Sequence, residues 1–281
     1  MYVVWKLLIL SICFASCRTP SNDSAITKEQ TYIYLSHTSV KNNDSVFKKV
    51  YDIDLSKYDM TLLGGDISLK TFENDVIFNH VDSIFNFKKP TTLWSVGNHD
   101  RTSDSNFKER TGKNKYHYYK RDDISFITLD TQDSLSNIIG DQKIFLRNTL
   151  DTLTSNNVII MVHKLIFMDK HPVMDPLTNL VVNGQKGNCY YCHNPNNFQE
   201  EIYPMLLKLK KEGKNILMIG GDLGYKTSSF EYIDKNGIIF LGNGLSFQNT
   251  NNEVLLLSKT KENLSYNFTP LDSLLKRQHS Q

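Results

Sequence analysis

Short apolar runs recur along this chain, and several of them stop at a glycine that polar residues follow at once. Residues 60–63 run into the sequence GGD, which ends in Asp66, and residues 93–96 run into GNHD, which begins at Gly97. Uninterrupted apolar runs of this length predict strands buried on both faces. Glycine allows a sharp turn after each strand, and the carboxyl ends of parallel strands share one edge of a sheet. The stretch 58–101 therefore predicts a ligand site at such an edge.

Helical patterns lie between these strands. Residues 72–87 carry apolar side chains at helical spacing, and Lys89 and Pro90 end this predicted helix before the GNHD strand. A first strand is expected at 31–37, and a short helix is expected around 45–51. The resulting order of strand, helix, strand, helix and strand calls for a parallel sheet.

The second half of the chain continues this alternation. It predicts a hairpin turning at Asp122 and Asp123, and then a helix over 140–153 with Ile144 and Phe145 on its apolar face. Further elements are a strand that ends in His163, a helix over 200–211, a strand that ends before Asp222, and a hairpin at 235–237. Alternating strands up to residue 270 are expected in the outer part of a second sheet, and 271–281 reads as a polar tail. One domain covering 31–270 accommodates all these elements.

Strand ends deliver the same few residue types at five places. These residues are His37, Asp66, the pair Asn98 and His99, His163, and Asp222. Carboxylate, amide and imidazole groups together suit a metal ion and phosphate chemistry. The recurrence, rather than any single instance, predicts a metal site.

The first seventeen residues have the composition of a signal peptide. They contain one positive charge at Lys6, an apolar centre shorter than a membrane span, and small residues before Cys17. The sequence FASC resembles a bacterial lipobox, which predicts lipidation of Cys17 and anchoring to the membrane of a bacterial cell envelope. The alternative is a plain signal peptide cut near Cys17. Residues 18–30 are polar and are expected to form a tether.

Composition adds a restriction on partners. The chain is 40% hydrophobic and 22% charged, with a formal net charge of +2. Because its lysines and arginines are scattered, no nucleic-acid surface is evident.

The order of these motifs resembles the calcineurin-like metallophosphoesterase family, whose pattern is D-x-H, GD, GNH[DE], a histidine after a buried strand, and GHxH. The resemblance rests on GGD, GNHD and VIIMVH, and on the helix that begins with GDQ, and it covers about residues 32–246. It implies an α/β fold, the four-layer αββα sandwich, with metals at the carboxyl ends of the strands.

The resemblance also implies roles for individual residues. Asp66 would bridge two metals, and Asn98 and His163 would bind the second of them. His99 would protonate the leaving oxygen or stabilise the transition state with its positive charge. The implied reaction is hydrolysis of a phosphomonoester or phosphodiester by a metal-activated water, with Mn, Zn or Fe as the divalent metal ion.

Two motifs depart from the family pattern. His37 stands where the family has aspartate, and Ser39 stands where it has histidine. Asp222 and Gly224 replace the two histidines of GHxH. One secure metal is therefore expected at Asp66, Asn98, His163 and Asp222. His37 either holds a weaker first metal with Asp66 or hydrogen-bonds Asp222 or the substrate.

A long segment without periodicity, residues 167–198, follows His163 and is expected to cover the site. It contains Cys189 and Cys192 in the sequence CYYCH. A local disulfide suits an exported protein, whereas CxxCH is also a c-type haem signature, and a zinc site would need ligands such as His171 and His193.

Two functions from different classes follow from these patterns. The first is a metal-dependent hydrolase of a small-molecule, lipid or glycan phosphoester at the cell envelope. The alternative is a catalytically degenerate lipoprotein that uses the same fold to bind a ligand or glycan.

Overall fold

The fold is known from a computed structural model that describes residues 29–40 and 46–280. The predicted signal peptide, its lipidation site Cys17 and residues 18–28 of the tether lie outside the described residues. None of the helices within these ranges is long and apolar enough to cross a membrane.

Two β-sheets form the centre of the molecule. The first sheet contains, in spatial order, β11 (Leu264–Pro270), β10 (Glu253–Lys259), β1 (Gln30–Leu35), β2 (Met60–Leu63) and β3 (Thr92–Trp94). The second contains β4 (His117–Arg121), β5 (Ile124–Thr128), β6 (Asn157–Val162), β7 (Asn215–Gly220), β9 (Ile239–Asn243) and β8 (Ser229–Ile233). The neighbours β1, β2 and β3 are parallel, as are β5, β6, β7 and β9.

Helices cover the outer faces of both sheets. They are α1 (Lys48–Tyr51), α2 (Asp75–Phe85), α3 (Asp104–Thr111), α4 (Gly140–Asp151), α5 (Thr178–Val181), α6 (Tyr203–Lys211) and α7 (Leu271–His279). A π-helical turn, Phe198–Ile202, precedes α6.

Three apolar cores separate these layers. The central core joins side chains of the two sheets, and the rings of Tyr32 and Phe126 meet edge to face with their centroids 5.6 Å apart. A second core, which includes Trp94, lies between the first sheet and helices α2, α3 and α7. The third lies between the second sheet and helices α4 and α6. This arrangement confirms the predicted α/β class and its four αββα layers.

Three predictions about individual elements differ from the structure. The predicted polar tail forms helix α7, because Leu271 and Leu274 are buried one turn apart against the first sheet. Helix α4 buries Leu146 and Leu150, and Phe145 packs against the same core, while Ile144 is 55% exposed, so only part of the predicted apolar face is buried. Strands β10 and β11 complete the first sheet rather than the second, because β10 pairs antiparallel with β1.

Candidate metal centre

Four of the predicted ligands meet where the carboxyl edges of the two sheets adjoin. His37 and Asp66 follow β1 and β2 of the first sheet, and His163 and Asp222 follow β6 and β7 of the second. Asp66 Oδ2 lies 3.5 Å from His163 Nε2 and 3.9 Å from His37 Nε2. The charge of Asp222 acts on both imidazoles. Each of the four residues is at most 4% exposed.

The turns after β1 and β2 hold an unusual backbone conformation. His37 has φ 52° and Asp66 has φ 53°, which is the left-handed region that residues other than glycine rarely adopt. The N–H of His37 donates to the Gly65 carbonyl at 2.9 Å, and the N–H of Ser39 donates to the Asp66 carbonyl at 3.2 Å. Backbone hydrogen bonds between the two turns thus hold two residues in this rare conformation next to each other, which points to a functional site.

Both imidazoles are oriented by backbone carbonyls. His163 Nδ1 donates to the Gly64 carbonyl at 2.8 Å, and His37 Nδ1 donates to the Leu245 carbonyl at 3.2 Å. Because a carbonyl oxygen can only accept, Nδ1 carries the proton of each neutral ring. The two Nε2 atoms therefore face Asp66, and each offers a free lone pair when its ring is neutral, an arrangement typical of histidine metal ligands.

The two carboxylates differ in how they are held. Asp66 Oδ1 accepts the N–H of His99 at 2.9 Å, which leaves Oδ2 for the two imidazoles. Burial raises the pKa of Asp66, but the charges of the surrounding histidines outweigh burial and lower it below its usual value. Burial raises the pKa of Asp222, whose Oδ2 has no hydrogen-bond partner within the described part of the chain.

The donor chemistry of this centre fits one divalent ion. Among the residues that the structure describes, His163 Nε2 and Asp222 Oδ2 are buried polar atoms without hydrogen-bond partners, which an ion would supply. Ligand atoms around a tetrahedral zinc ion lie about 3.4 Å apart, given bonds of about 2.1 Å, and the spacings around Asp66 are close to this value. Within residues 29–40 and 46–280, however, no three His, Cys, Asp or Glu side chains are yet close enough together to enclose an ion. Binding would therefore require the side chains to draw together.

The other two predicted residues lie on the short helical turn after β3. Asn98 is half-buried and His99 is exposed, whereas Asp66 beside them is buried. The structure thus brings His99 to the centre through its backbone N–H and leaves its imidazole at the surface. His37 belongs to the same group as His163, since both face one oxygen of Asp66.

Asp100, the last residue of GNHD, has a role that the sequence did not reveal. It is fully buried, and its carboxylate accepts the N–H groups of Asp66 at 2.5 Å and of Gly97 at 3.2 Å. It also accepts the N–H of Ile67 and the hydroxyl of Thr71. Burial and the charge of Asp66 raise its pKa to about 6. Asp100 therefore joins the GGD turn to the GNHD turn and fixes the position of Asp66.

Lys164 is a second residue that the sequence analysis missed. It directly follows His163 and is 0% exposed, and its Nζ has no hydrogen-bond partner in residues 29–40 and 46–280. Burial lowers its pKa to about 8, against the opposing effects of Asp222, Asp66 and Asp130. In the sequence, only its place directly after a histidine at a strand end could have indicated that Lys164 lies near the centre.

The segment 167–198 approaches the centre from one side. The N–H of Asn183 donates to the Asp222 carbonyl at 3.0 Å, and the Arg101 guanidinium lies 5.4 Å from the ring centroid of Tyr190. Cys189 and Cys192 form a disulfide, so neither sulfur is free for haem attachment or zinc. The half-exposed Tyr225, whose N–H donates to Asn183 Oδ1 of this segment at 3.0 Å, packs edge to face on the His37 ring at 4.8 Å.

Several solved structures have a distant likeness to this chain. No family model matches the chain, and no curated protein matches it. Among solved structures, a conserved uncharacterised protein from Streptococcus pneumoniae TIGR4, a predicted phosphoesterase, is 12% identical with a TM-score of 0.40, over 87% of this chain and 91% of that one. PhoD is 10% identical with a TM-score of 0.47, over 85% and 68%. An NAD nucleotidase from Haemophilus influenzae is 14% identical with a TM-score of 0.41; the match covers 86% of this chain and 49% of the nucleotidase. Likenesses this distant carry no argument about the chemistry of this chain.

Proposed function

We propose that this chain is a metal-dependent phosphoesterase that hydrolyses a phosphomonoester or phosphodiester. The observation that supports this most is the pair of imidazole nitrogens that face one buried carboxylate oxygen, Asp66 Oδ2, at 3.5 and 3.9 Å. Lone pairs that face one another repel unless positive charge lies among them. His37 does not readily supply that charge as a proton, because burial lowers its pKa, whereas at His163 the charges of Asp66 and Asp222 outweigh burial and raise the pKa. A metal ion would supply positive charge to both rings at once.

The residues divide the work of the reaction. His37, Asp66, His163 and Asp222 would hold the ion, and Asn98 can add its amide oxygen from the rim. A divalent ion such as Mn, Zn or Fe supplies a Lewis acid for the phosphoryl group and lowers the pKa of a water molecule. His99 is exposed beside Asp66, where its imidazole can donate a proton to the leaving oxygen.

The cellular setting is a separate part of the proposal. We propose that Cys17 carries a lipid that anchors the protein in a bacterial cell envelope, where it acts on a small-molecule, lipid or glycan phosphoester. The sequence FASC supports this placement. Metabolic labelling with a fatty-acid probe should mark the wild type and not Cys17→Ser, whereas labelling of neither would remove the anchor from the proposal.

A catalytically degenerate binding protein is the second candidate. It is favoured by Ser39 and Gly224, which occupy two ligand positions of the resembled family. Such a protein would bind a phosphoester or glycan without cleaving it.

Metal analysis combined with hydrolysis assays separates these two functions. The purified protein should bind a divalent ion and cleave a generic monoester or diester in the presence of Mn, Zn or Fe. Asp66→Asn should lose both properties, because it removes the negative charge that the two imidazoles share. Asp130→Asn is the matched control, since Asp130 is similarly buried, at 4% exposure against 2% for Asp66, but lies outside the centre. Ligand binding without hydrolysis in both the wild type and Asp66→Asn would favour the degenerate protein.

A further inference from the structure

Lys164 is a buried ammonium group that nothing in the surrounding structure pairs. It is 0% exposed, and within the described residues its Nζ has neither a hydrogen-bond acceptor nor a carboxylate within 4.0 Å. Burying a charge without a partner costs several kcal/mol in proteins, on the order of the penalty seen for broken ion pairs. An unpaired group of this kind requires an explanation.

The position of Lys164 ties it to the candidate centre. Its own N–H donates to Thr131 Oγ1 at 3.1 Å, which fixes the backbone directly after His163. Three carboxylates act on its charge: Asp222 most strongly, then Asp66, then Asp130. The cationic Arg101 opposes them, and the charge of Lys164 in turn acts on His193.

Asp130 does not account for this lysine, because it has other partners. Its Oδ1 accepts the N–H of Gln132 at 2.6 Å, and its Oδ2 lies 4.0 Å from Lys115 Nζ. Lys115 in turn pairs with two exposed carboxylates, at 2.8 Å from Asp133 and 3.0 Å from Asp104. The carboxylates that remain for Lys164 are those of the centre itself, Asp66 and Asp222.

The backbone also limits how many ions this centre can hold. Gly224 stands where the resembled family has a metal-binding histidine, and its φ is +134°. A Cβ atom at this position would lie 2.4 Å from the Leu245 carbonyl oxygen, which is closer than real Cβ atoms approach. Ser39 occupies the other lost ligand position, and its backbone N–H is bound to the Asp66 carbonyl. The fold around Gly224 therefore excludes a side chain, and with it a ligand.

We propose that the Lys164 ammonium is a built-in second cation of this centre, so that the centre holds one divalent ion rather than two. This inference rests on the proposed function. The lysine supplies one fixed positive charge on which Asp222 acts most strongly, in a centre where two ligand positions of the resembled family are occupied by Ser39 and Gly224. It acts through the ligands as a positioning residue and is not placed in contact with the substrate.

The charge of Lys164 allows a test in which loss of a side chain is expected to raise metal affinity rather than lower it. A fixed positive charge beside the ligands opposes a divalent cation, so removing it should strengthen metal binding. We expect Lys164→Met to bind Mn²⁺ or Zn²⁺ at least about tenfold more tightly than the wild type in calorimetric titrations. A merely structural role predicts the reverse, because looser packing would weaken the site. Turnover should fall in Lys164→Met, because the positive charge that acts on the carboxylates of the centre is lost.

Two further variants act as controls. Lys164→Arg keeps the charge and should bind the ion with wild-type affinity and a stoichiometry of one. Lys115→Met removes a lysine of similar burial, 5% exposed, that is paired with carboxylates outside the centre. It should lower the free energy of unfolding without changing metal affinity. Thermal unfolding should show that Lys164→Met is folded, because replacing a buried charge with an apolar side chain is often neutral or stabilising.

The outcomes separate this inference from the proposed function. One ion in the wild type and tighter binding by Lys164→Met support both. Two ions in the wild type, or equal or weaker binding by Lys164→Met, overturn the role of Lys164 and leave the hydrolase intact. If the wild type binds one ion and Lys164→Met binds it more tightly but neither protein cleaves an ester, the proposed function fails and the role of Lys164 stands. If neither protein binds an ion, both are overturned.

Discussion

Gly65 is the residue at which the local geometry of the centre can be tested most directly. It has φ +93°, and a Cβ atom added there would lie 2.6 Å from both the Gly97 nitrogen and His163 Nδ1. These neighbours belong to the GNHD turn and to a proposed metal ligand. Gly65→Ala therefore pushes a methyl group into the contact between the two strand ends that build the centre.

The expected cost has two parts. An L-residue in the left-handed region costs about 1–2 kcal/mol. Forcing a methyl group into a packed site costs about 1–3 kcal/mol more. We therefore expect Gly65→Ala to lower the free energy of unfolding by about 2–5 kcal/mol, a large part of the total stability of a typical domain.

Gly112 provides the matched control. It has φ +74°, and nothing lies within 4 Å of a Cβ atom built on it. Gly112→Ala should therefore show only the backbone part, about 1–2 kcal/mol. Urea unfolding of both variants measures the difference, and metal titration should show weaker binding for Gly65→Ala alone. Equal losses of stability in the two variants would refute the claim that close packing makes Gly65 necessary.

Three other predictions concern single groups. His99→Ala should lower turnover more than metal content, measured by elemental analysis; a large loss of metal would instead identify His99 as a ligand. Burial lowers the pKa of His193 to about 4. The unfolded chain, with a His pKa of about 6.5, therefore takes up a proton that the native state does not, and the free energy of unfolding should fall by up to roughly 3 kcal/mol as the pH drops from 6.5 to 4. His193→Gln should flatten this dependence in urea titrations, and an unchanged slope would contradict it. Replacing Cys189 and Cys192 with alanine should cost about 2 kcal/mol, because so short a loop loses little entropy when it is closed; an unchanged urea midpoint would show that the disulfide adds no stability.

The sequence was most informative where the structure depends on residues that are close together along the chain. Apolar runs and glycines located the strand ends, and parallel strands then required His37, Asp66, His163 and Asp222 to share an edge. The structure places His37 and His163 beside Asp66, with the charge of Asp222 acting on both imidazoles, while the binding of a metal by these four stays a prediction. The signal peptide and the lipidation of Cys17 also stay predictions, because they lie outside the described residues.

The sequence was least informative where long-range contacts decide. The alternation in β10 fits either sheet, and only its pairing with β1, more than two hundred residues away, selects the first. Lysine is normally solvated, so no pattern indicated that Lys164 would be buried. The role of Asp100 depends on N–H groups that reach it from the GGD turn, thirty-four residues earlier.

The arrangement of the first sheet has a consequence for synthesis of the chain. Strand β1 lies between β2 and β10, so one of its edges stays open until the last two strands have been made. An open edge invites pairing with other chains. The nascent protein therefore carries an aggregation-prone edge through most of its translation, and truncation before β10 should yield insoluble product. Because His37 lies just after β1, the candidate centre can be complete only after the final strands of the chain have been made.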